Sequence, residues 1–208
     1  MNHAMITSKR IPALAAIITG MFLPACSGDV HTVSHLPDGG FTEAFFDLDD
    51  LRAVANDDKV HCFHFYNAHH DGEATGTVLA MGAYESHEEL YSWSGPWYRR
   101  YKGLVGGGAD CVKMIKSDAK DDILNLGEIK PFAAVFTVTD VLGLITKVGA
   151  DGIRLTPMMA NATTWTMALE PVKFEDGRAE VIGTERLVST TPCPEVCGEP
   201  PTYFLHRY

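Results

Sequence analysis

The clearest indication of the fold is the stretch TTWTMALEPVKF, residues 163–174. Three large apolar residues, Trp165, Met167 and Leu169, recur in it at every second position. Successive side chains of a β-strand point to opposite faces, so this spacing places the three residues on one face of a strand. The alternation therefore predicts a strand with one face turned towards the core.

A hairpin turn follows this strand. The pair Asp176-Gly177 separates it from a second β-rich run at residues 179–189, and an Asp-Gly pair is a strong signal for a tight hairpin. A third β-rich run precedes it at residues 153–158. Pro171 has no backbone N–H to donate to a neighbouring strand, so it favours an edge position or a bulge for the strand over 163–174.

The chain between residues 41 and 148 mixes strand-like and helix-like segments. Runs rich in β-forming residues predict strands at 59–67, 74–84, 111–116 and 131–138. Helical spacing of apolar residues predicts helices at 42–55, 86–93, 96–105, 117–126 and 140–148, the last with Asp140 as its N-cap. Because the strands come in hairpins and do not alternate strictly with helices, we expect an α+β domain. Its sheet should be largely antiparallel, with helices mainly on one face.

The composition bounds the class of protein. The chain has 208 residues, of which 46% are hydrophobic, and 17 basic residues stand against 27 acidic ones. This length fits one domain, and the apolar content excludes a wholly disordered chain. Because binding to phosphates needs clustered Lys and Arg, the net charge of -10 argues against a nucleic acid as partner and favours basic partners.

The first 25 residues have the pattern of a secretory signal. Lys9 and Arg10 precede an apolar run at residues 11–25, which as a helix would extend about 22 Å. A membrane-spanning helix must cross about 30 Å of hydrocarbon, so this run is too short to span. We therefore expect residues 1–25 to act as an export signal and to take no part in the fold.

The signal ends in Leu23-Pro24-Ala25-Cys26, followed by Ser27, and this ending resembles the lipobox of bacterial lipoproteins. The resemblance implies that Cys26 is lipidated and anchors the protein in the membrane. Ser27 after the cysteine implies delivery to the outer membrane, facing the periplasm. The alternative is an ordinary signal peptide in which Cys26 has no role.

The mature chain is expected to have two parts. Residues 26–40 lack periodicity and fit a tether between lipid and domain. Residues 41–208 form the single domain, and its tail at 190–201 holds four prolines and two cysteines, which predicts an irregular strap over the sheet.

Four cysteines remain after Cys26: Cys62, Cys111, Cys193 and Cys197. An exported protein meets an oxidising compartment, so an even number of cysteines predicts two disulfides, with three possible pairings. The favoured pairing joins Cys62 to Cys111 and Cys193 to Cys197. A redox or metal-binding pair is the alternative, but three residues separate Cys193 from Cys197 where redox motifs have two.

Histidine is concentrated around the first predicted hairpin, where the chain carries His61, His64, His69, His70 and His87. Neutral imidazole is a common ligand of zinc and copper, so the turn of this hairpin offers a candidate metal site. Its candidate ligands are His69, His70, Asp71 and Glu73. The simpler interpretation is that the turn histidines are exposed and that His64 packs within the sheet.

A dense aromatic segment interleaved with basic residues follows, with candidate ligand-binding residues Trp93, Trp97, Tyr98, Arg99, Arg100 and Tyr101. If exposed, such side chains stack on sugar rings and pair with anionic groups, as binding of a cell-wall polymer would require. The helical spacing of Trp97, Tyr98 and Tyr101 favours a place in the core instead.

Two common catalytic signatures are absent. The chain has no Gly-x-Ser-x-Gly motif, and Gly106-Gly107-Gly108 is followed by Ala109-Asp110, so it is not a P-loop. The sequence therefore favours binding over catalysis. It predicts an acidic, lipid-anchored envelope protein that binds an envelope protein or a cell-wall polymer and has no cofactor. The alternative is a metal-binding protein or metal-dependent enzyme that uses zinc or copper at the His69-His70 turn.

Overall fold

The structure is a computed structural model that describes residues 36, 40–85, 88–89, 98–105, 108–114, 116–126 and 131–189. All of these belong to one compact unit, His31–Tyr208. The predicted signal peptide, Cys26, most of the tether and the strap at 190–201 lie outside the described residues. Within the part of the chain that the structure describes, no helix is both long and apolar enough to cross a membrane.

Strands dominate the described residues. In chain order the elements are β1 (Ala44–Asp47), α1 (Leu48–Val54), β2 (Cys62–Ala68), β3 (Thr77–Glu85), β4 (Glu88–Glu89), β5 (Tyr98–Val105), β6 (Gly108–Met114), α2 (Lys116–Leu124), β7 (Ala133–Thr137), α3 (Val138–Val148), β8 (Gly152–Met159), β9 (Trp165–Glu175), β10 (Arg178–Val181) and β11 (Leu187–Val188).

The strands form two antiparallel sheets. Sheet A has the order β1-β8-β9-β10, with β11 also paired to β9. Sheet B has the order β6-β5-β3-β2-β7, with β4 paired to β3. The prediction of an α+β domain with antiparallel strands is confirmed, and the strands divide between two sheets.

The main core is shared by the two sheets. Phe46 of β1 and Phe65 of β2 belong to different sheets, yet their ring centroids lie 5.4 Å apart. The same apolar cluster includes Ile153 and Leu155 of β8 and takes in residues of α1 and α3. The opposite face of sheet B forms a second cluster, in which α2 packs on the sheet. Of the three described helices, α1 and α3 thus contribute to the main core, whereas α2 packs on the opposite face of sheet B.

The helix predicted over 42–55 is shorter than expected. Its first part is strand β1, in which Ala44 pairs with Leu155 and Asp47 with Gly152 of β8. Asp47 then caps α1, because its side chain accepts a hydrogen bond from the backbone N–H of Asp50 at 2.7 Å. Pairing with a distant strand overrides the local helical spacing here.

The helices predicted over 86–93 and 96–105 are wrong wherever the structure describes these residues. Glu88 and Glu89 form β4, and residues 98–105 form β5, which pairs with β3 on one side and β6 on the other. Tyr and Val favour strands, and two neighbouring strands satisfy the backbone groups of β5. The spacing of the aromatic residues is compatible with a helix, but pairing with β3 and β6 makes this segment a strand.

The helix predicted over 140–148 is present as α3, but its cap differs. The side chain of Thr137 accepts a hydrogen bond from the N–H of Asp140 at 3.0 Å, so Thr137 is the N-cap and Asp140 lies in the first turn. Gly149 ends the helix with φ 69°, a left-handed conformation that glycine adopts without steric cost.

The Asp176-Gly177 hairpin is confirmed by the antiparallel pairing of β9 with β10.

The edge position expected from Pro171 is wrong, because β9 has neighbours on both sides. The second strand of the hairpin does not run on to residue 189 as predicted. It ends at Val181, next to Ile182, whose N–H still donates to the carbonyl of Pro171 at 3.0 Å. Pro171 has no N–H to return this bond, so the ladder is interrupted there and resumes with β11.

Candidate functional site

The first hairpin carries the candidate site at its tip. Strand β3 pairs with the whole length of β2, from Cys62 opposite Ala83 to Ala68 opposite Thr77, which confirms the predicted hairpin. The connection after β2 contains a turn, closed by a hydrogen bond from the N–H of Glu73 to the carbonyl of His70 at 3.1 Å. Gly72 takes φ 82° in this turn, which only glycine adopts readily.

His70 is bound to a carboxylate from a distant helix. Its Nδ1 lies 2.7 Å from Oδ1 of Asp122 in α2, across 52 positions of sequence. The Asp122 side chain is 4% exposed and the His70 side chain is 40% exposed. A buried carboxylate thus orients a ring that still reaches solvent.

Helix α2 holds Asp122 in place through two sets of contacts. Its apolar residues Ala119 and Ile123 are buried against the outer face of sheet B. The backbone carbonyl of Asp122 also accepts a hydrogen bond from the N–H of His69 at 2.7 Å. The residues after β2 and the last turn of α2 are therefore joined by a backbone hydrogen bond and a side-chain hydrogen bond.

The hydrogen bond to Asp122 determines which nitrogen of the His70 ring carries the proton. An ionised carboxylate only accepts hydrogen bonds, so Nδ1 of His70 carries the proton that points at Asp122. In the neutral ring, Nε2 then carries the lone pair. The His70 side chain is 40% exposed, and its hydrogen bond to Asp122 engages Nδ1 and leaves Nε2 out of the contact. The turn therefore presents an oriented proton acceptor.

The structure does not group the other residues predicted at this turn with His70 as a set of three or more ligands. Asp71 is exposed, while His69 and Glu73 are partly exposed. Among the described residues, no three His, Cys, Asp or Glu side chains are grouped so that they could hold a metal ion. His64 is fully buried in β2, its ring 6.4 Å from that of Tyr66, and His61 is exposed at the other end of the hairpin. His87 lies outside the described residues.

Sequence reasoning did not find Asp122. A signal was nevertheless present, because Ala119, Asp122, Ile123 and Leu126 follow the i, i+3, i+4, i+7 spacing of a buried helix face. A carboxylate within such a face needs a partner, since burying an unpaired charge is costly. Which partner it has depends on the packing of α2 against β2.

The aromatic and basic segment is described only in part. Trp93 and Trp97 lie outside the described residues, whereas Tyr98, Arg99, Arg100 and Tyr101 are consecutive residues of β5. Strand β5 pairs with β3, with Arg100 opposite Leu79 and Arg99 opposite Ala80. The hairpin that carries the His70 turn therefore also borders this segment.

The strand order bears on the predicted disulfides. Cys62 begins β2 and Cys111 lies in β6, with β3 and β5 between them in sheet B. Three strand spacings of about 4.8 Å separate the two backbones by about 14 Å, whereas a disulfide requires Cα atoms within about 7 Å. The predicted bond between Cys62 and Cys111 is incompatible with this order. Cys193 and Cys197 lie outside the described residues.

Comparisons of the chain with protein-family models, with curated proteins and with solved structures give no match.

Proposed function

We propose that this protein is a lipid-anchored protein of the bacterial cell envelope, held in the outer membrane facing the periplasm through Cys26. Its domain acts as a binding module. The anchoring part rests on the lipobox-like ending Leu23-Pro24-Ala25-Cys26 after an apolar run too short to span a membrane. A lipid chain contributes about 0.8 kcal/mol for each buried CH₂ group and supplies the attachment that this run cannot.

The binding part rests chiefly on the His70–Asp122 pair. A partly exposed histidine that a buried carboxylate holds at 2.7 Å presents a defined hydrogen-bonding group at the surface. Sheet B continues from this hairpin into β5, whose first five residues are all aromatic or basic, Tyr98-Arg99-Arg100-Tyr101-Lys102. The ligand we favour is a cell-wall polymer, because sugar rings stack on aromatic side chains and anionic groups pair with guanidinium groups.

Anchoring is tested by labelling cells with an acyl precursor and following the full chain. Cys26→Ser removes the sulfur that forms the thioether, so it should abolish the label and release the protein from the membrane fraction. Ser34→Ala in the predicted tether is the matched control and should keep both. A Cys26→Ser protein that fractionates with membranes as the parent does would contradict the lipid anchor.

Binding is tested by sedimenting the full chain with purified cell-wall polymer. His70→Ala and the double change of Arg99 and Arg100 to Ala should each weaken binding about tenfold, equivalent to about 1.4 kcal/mol. Arg178→Ala, an exposed arginine of β10 in the other sheet, should leave binding unchanged. A parent protein that stays in the supernatant would overturn the cell-wall ligand.

A metal-binding function is the second candidate, and one observation favours it. Histidines that bind metals commonly donate their other ring N–H to a carboxylate, as His70 donates to Asp122. Zinc or copper at Nε2 would take at most one further ligand from the turn residues His69, Asp71 and Glu73 and the rest from solvent, since no three such side chains of the described residues are grouped as ligands. Titration of the full chain with zinc and with copper decides this, since His70→Ala should remove the binding.

A further inference from the structure

The hydrogen bond to Asp122 leaves Nε2 of His70 available for a reaction. A ring nitrogen that carries its lone pair and faces solvent is a nucleophile, and a carboxylate on the opposite nitrogen stabilises the positive charge that forms during attack. The described structure supplies both parts: a partly exposed ring and a nearly buried carboxylate 2.7 Å from Nδ1.

We propose that His70 is an activated histidine that accepts an acyl group from carboxylic esters, so that the turn has an acyl-transfer activity in addition to binding. In the first step, Nε2 forms a bond to the carbonyl carbon. The bond from that carbon to the ester oxygen breaks, and the leaving group departs with the electron pair. The resulting acyl-imidazolium keeps its Nδ1 proton hydrogen-bonded to Asp122.

Water completes the reaction. A water oxygen bonds to the acyl carbon, the bond from Nε2 to that carbon breaks, and the electron pair returns to Nε2. The water gives up one proton to solvent and a carboxylic acid is released, which restores the neutral imidazole. No oxidant, reductant or further reactant is needed.

The surroundings of the ring restrict the substrate. The exposed Asp71 directly follows His70 in the turn, and the exposed Asp121 precedes its partner Asp122 in α2. These carboxylates repel negatively charged groups, so the substrate is a neutral ester. Because imidazole is a weaker base than an alkoxide, the leaving group must be weakly basic, as in an aryl ester.

The probe is p-nitrophenyl acetate, added to the full chain purified in detergent. The parent protein should release p-nitrophenolate, and mass analysis of quenched protein should locate an acetyl group on the peptide that contains His70. His70→Ala and Asp122→Asn should each slow the release about 100-fold, because the first removes the nucleophile and the second removes the charge that stabilises the acyl-imidazolium. His61→Ala, an exposed histidine at the other end of β2, should react as the parent does.

The outcomes are decisive in either direction. Equal rates in the parent, His70→Ala and His61→Ala proteins, or an acetyl group on another residue, would overturn the proposal. Because the His70 side chain is partly exposed, we expect His70→Ala to fold. The test therefore remains valid even if Asp122→Asn does not fold. The result is independent of cell-wall binding, because sedimentation and ester cleavage are measured separately.

Discussion

Ser189 joins the two sheets by accepting a hydrogen bond from Val135. The backbone N–H of Val135, in β7 at the edge of sheet B, donates to Oγ of Ser189 at 2.9 Å, and both residues are buried. Ser189 directly follows β11 of sheet A, and its own N–H donates to the carbonyl of Met167 in β9 at 3.3 Å. The side chain of Ser189 thus links β7 of sheet B to the end of β11 in sheet A.

Removing this hydroxyl should destabilise the domain. Ser189→Ala leaves the buried N–H of Val135 without its acceptor, which costs about 1–3 kcal/mol. Ser117→Ala is the control, because its hydroxyl donates to Asp118 at an exposed position and its loss should cost less than about 0.5 kcal/mol. Urea unfolding of the two variants measures the difference, and equal midpoints would show that the bond between the sheets contributes nothing.

Two glycines should respond in opposite ways to substitution by alanine. A Cβ at Gly152 would collide with the carbonyl oxygen of Phe46 and lie 2.8 Å from Cε2 of Phe174, so Gly152→Ala should cost about 1–3 kcal/mol. A Cβ at Gly143, within α3, would meet no atom of the described residues within 4 Å apart from its chain neighbours and the adjoining helix backbone, so Gly143→Ala should stabilise by about 0.5–1 kcal/mol. Thermal unfolding separates the two, and a loss of stability at Gly143 would contradict the packing of α3.

The cap of α3 is open to a direct test. Thr137→Ala removes the oxygen that accepts from the N–H of Asp140 and should cost about 1 kcal/mol, whereas Thr137→Ser keeps this oxygen and should cost little. Asp140→Ala removes only a favourable charge near the helix N-terminus and should cost about 0.3–1 kcal/mol. A larger loss for Asp140→Ala than for Thr137→Ala in chemical unfolding would restore Asp140 as the cap.

Asp57 should titrate below its ordinary range. The backbone N–H of Lys59 donates to Oδ1 of Asp57 at 3.0 Å and lowers the pKa of this carboxyl, against a smaller opposing effect of desolvation. A side-chain hydrogen bond with Asp58 and the charge of Lys59 lower the pKa further. A carboxyl whose pKa is lower in the folded state stabilises the fold at any pH above its pKa in the unfolded state. This stabilisation is lost as the pH falls through the pKa of the folded state.

The variants of Lys59 separate these causes. Lys59→Ala keeps the backbone donor, so most of the lowering of the Asp57 pKa should remain, whereas Lys59→Pro removes the donor and should raise the pKa. NMR titration of Asp57 in the two proteins gives the answer, and identical midpoints would exclude the backbone bond as the main cause.

Much of the local structure followed from the sequence alone. Three features were predictable: the alternation in β9, the Asp176-Gly177 turn and the hairpin of β2 and β3. Each depends on a pattern within a few consecutive residues, either the alternation of a strand or the glycine of a turn. The turn histidine His70 was also found, because it stands between two clear strands. The lipobox-like ending is likewise local, and the lipid anchor stays a prediction.

Only the tertiary structure decided which segments pair and which side chains meet. Residues 98–105 had helical spacing, but β3 and β6 provide strand partners on both sides, and the gain in paired backbone groups made them a strand. The division of the strands into two sheets and the separation of Cys62 from Cys111 follow from the same long-range pairing. Asp122 meets His70 because α2 packs its apolar face on sheet B, and no rule based on neighbouring residues relates two positions 52 apart.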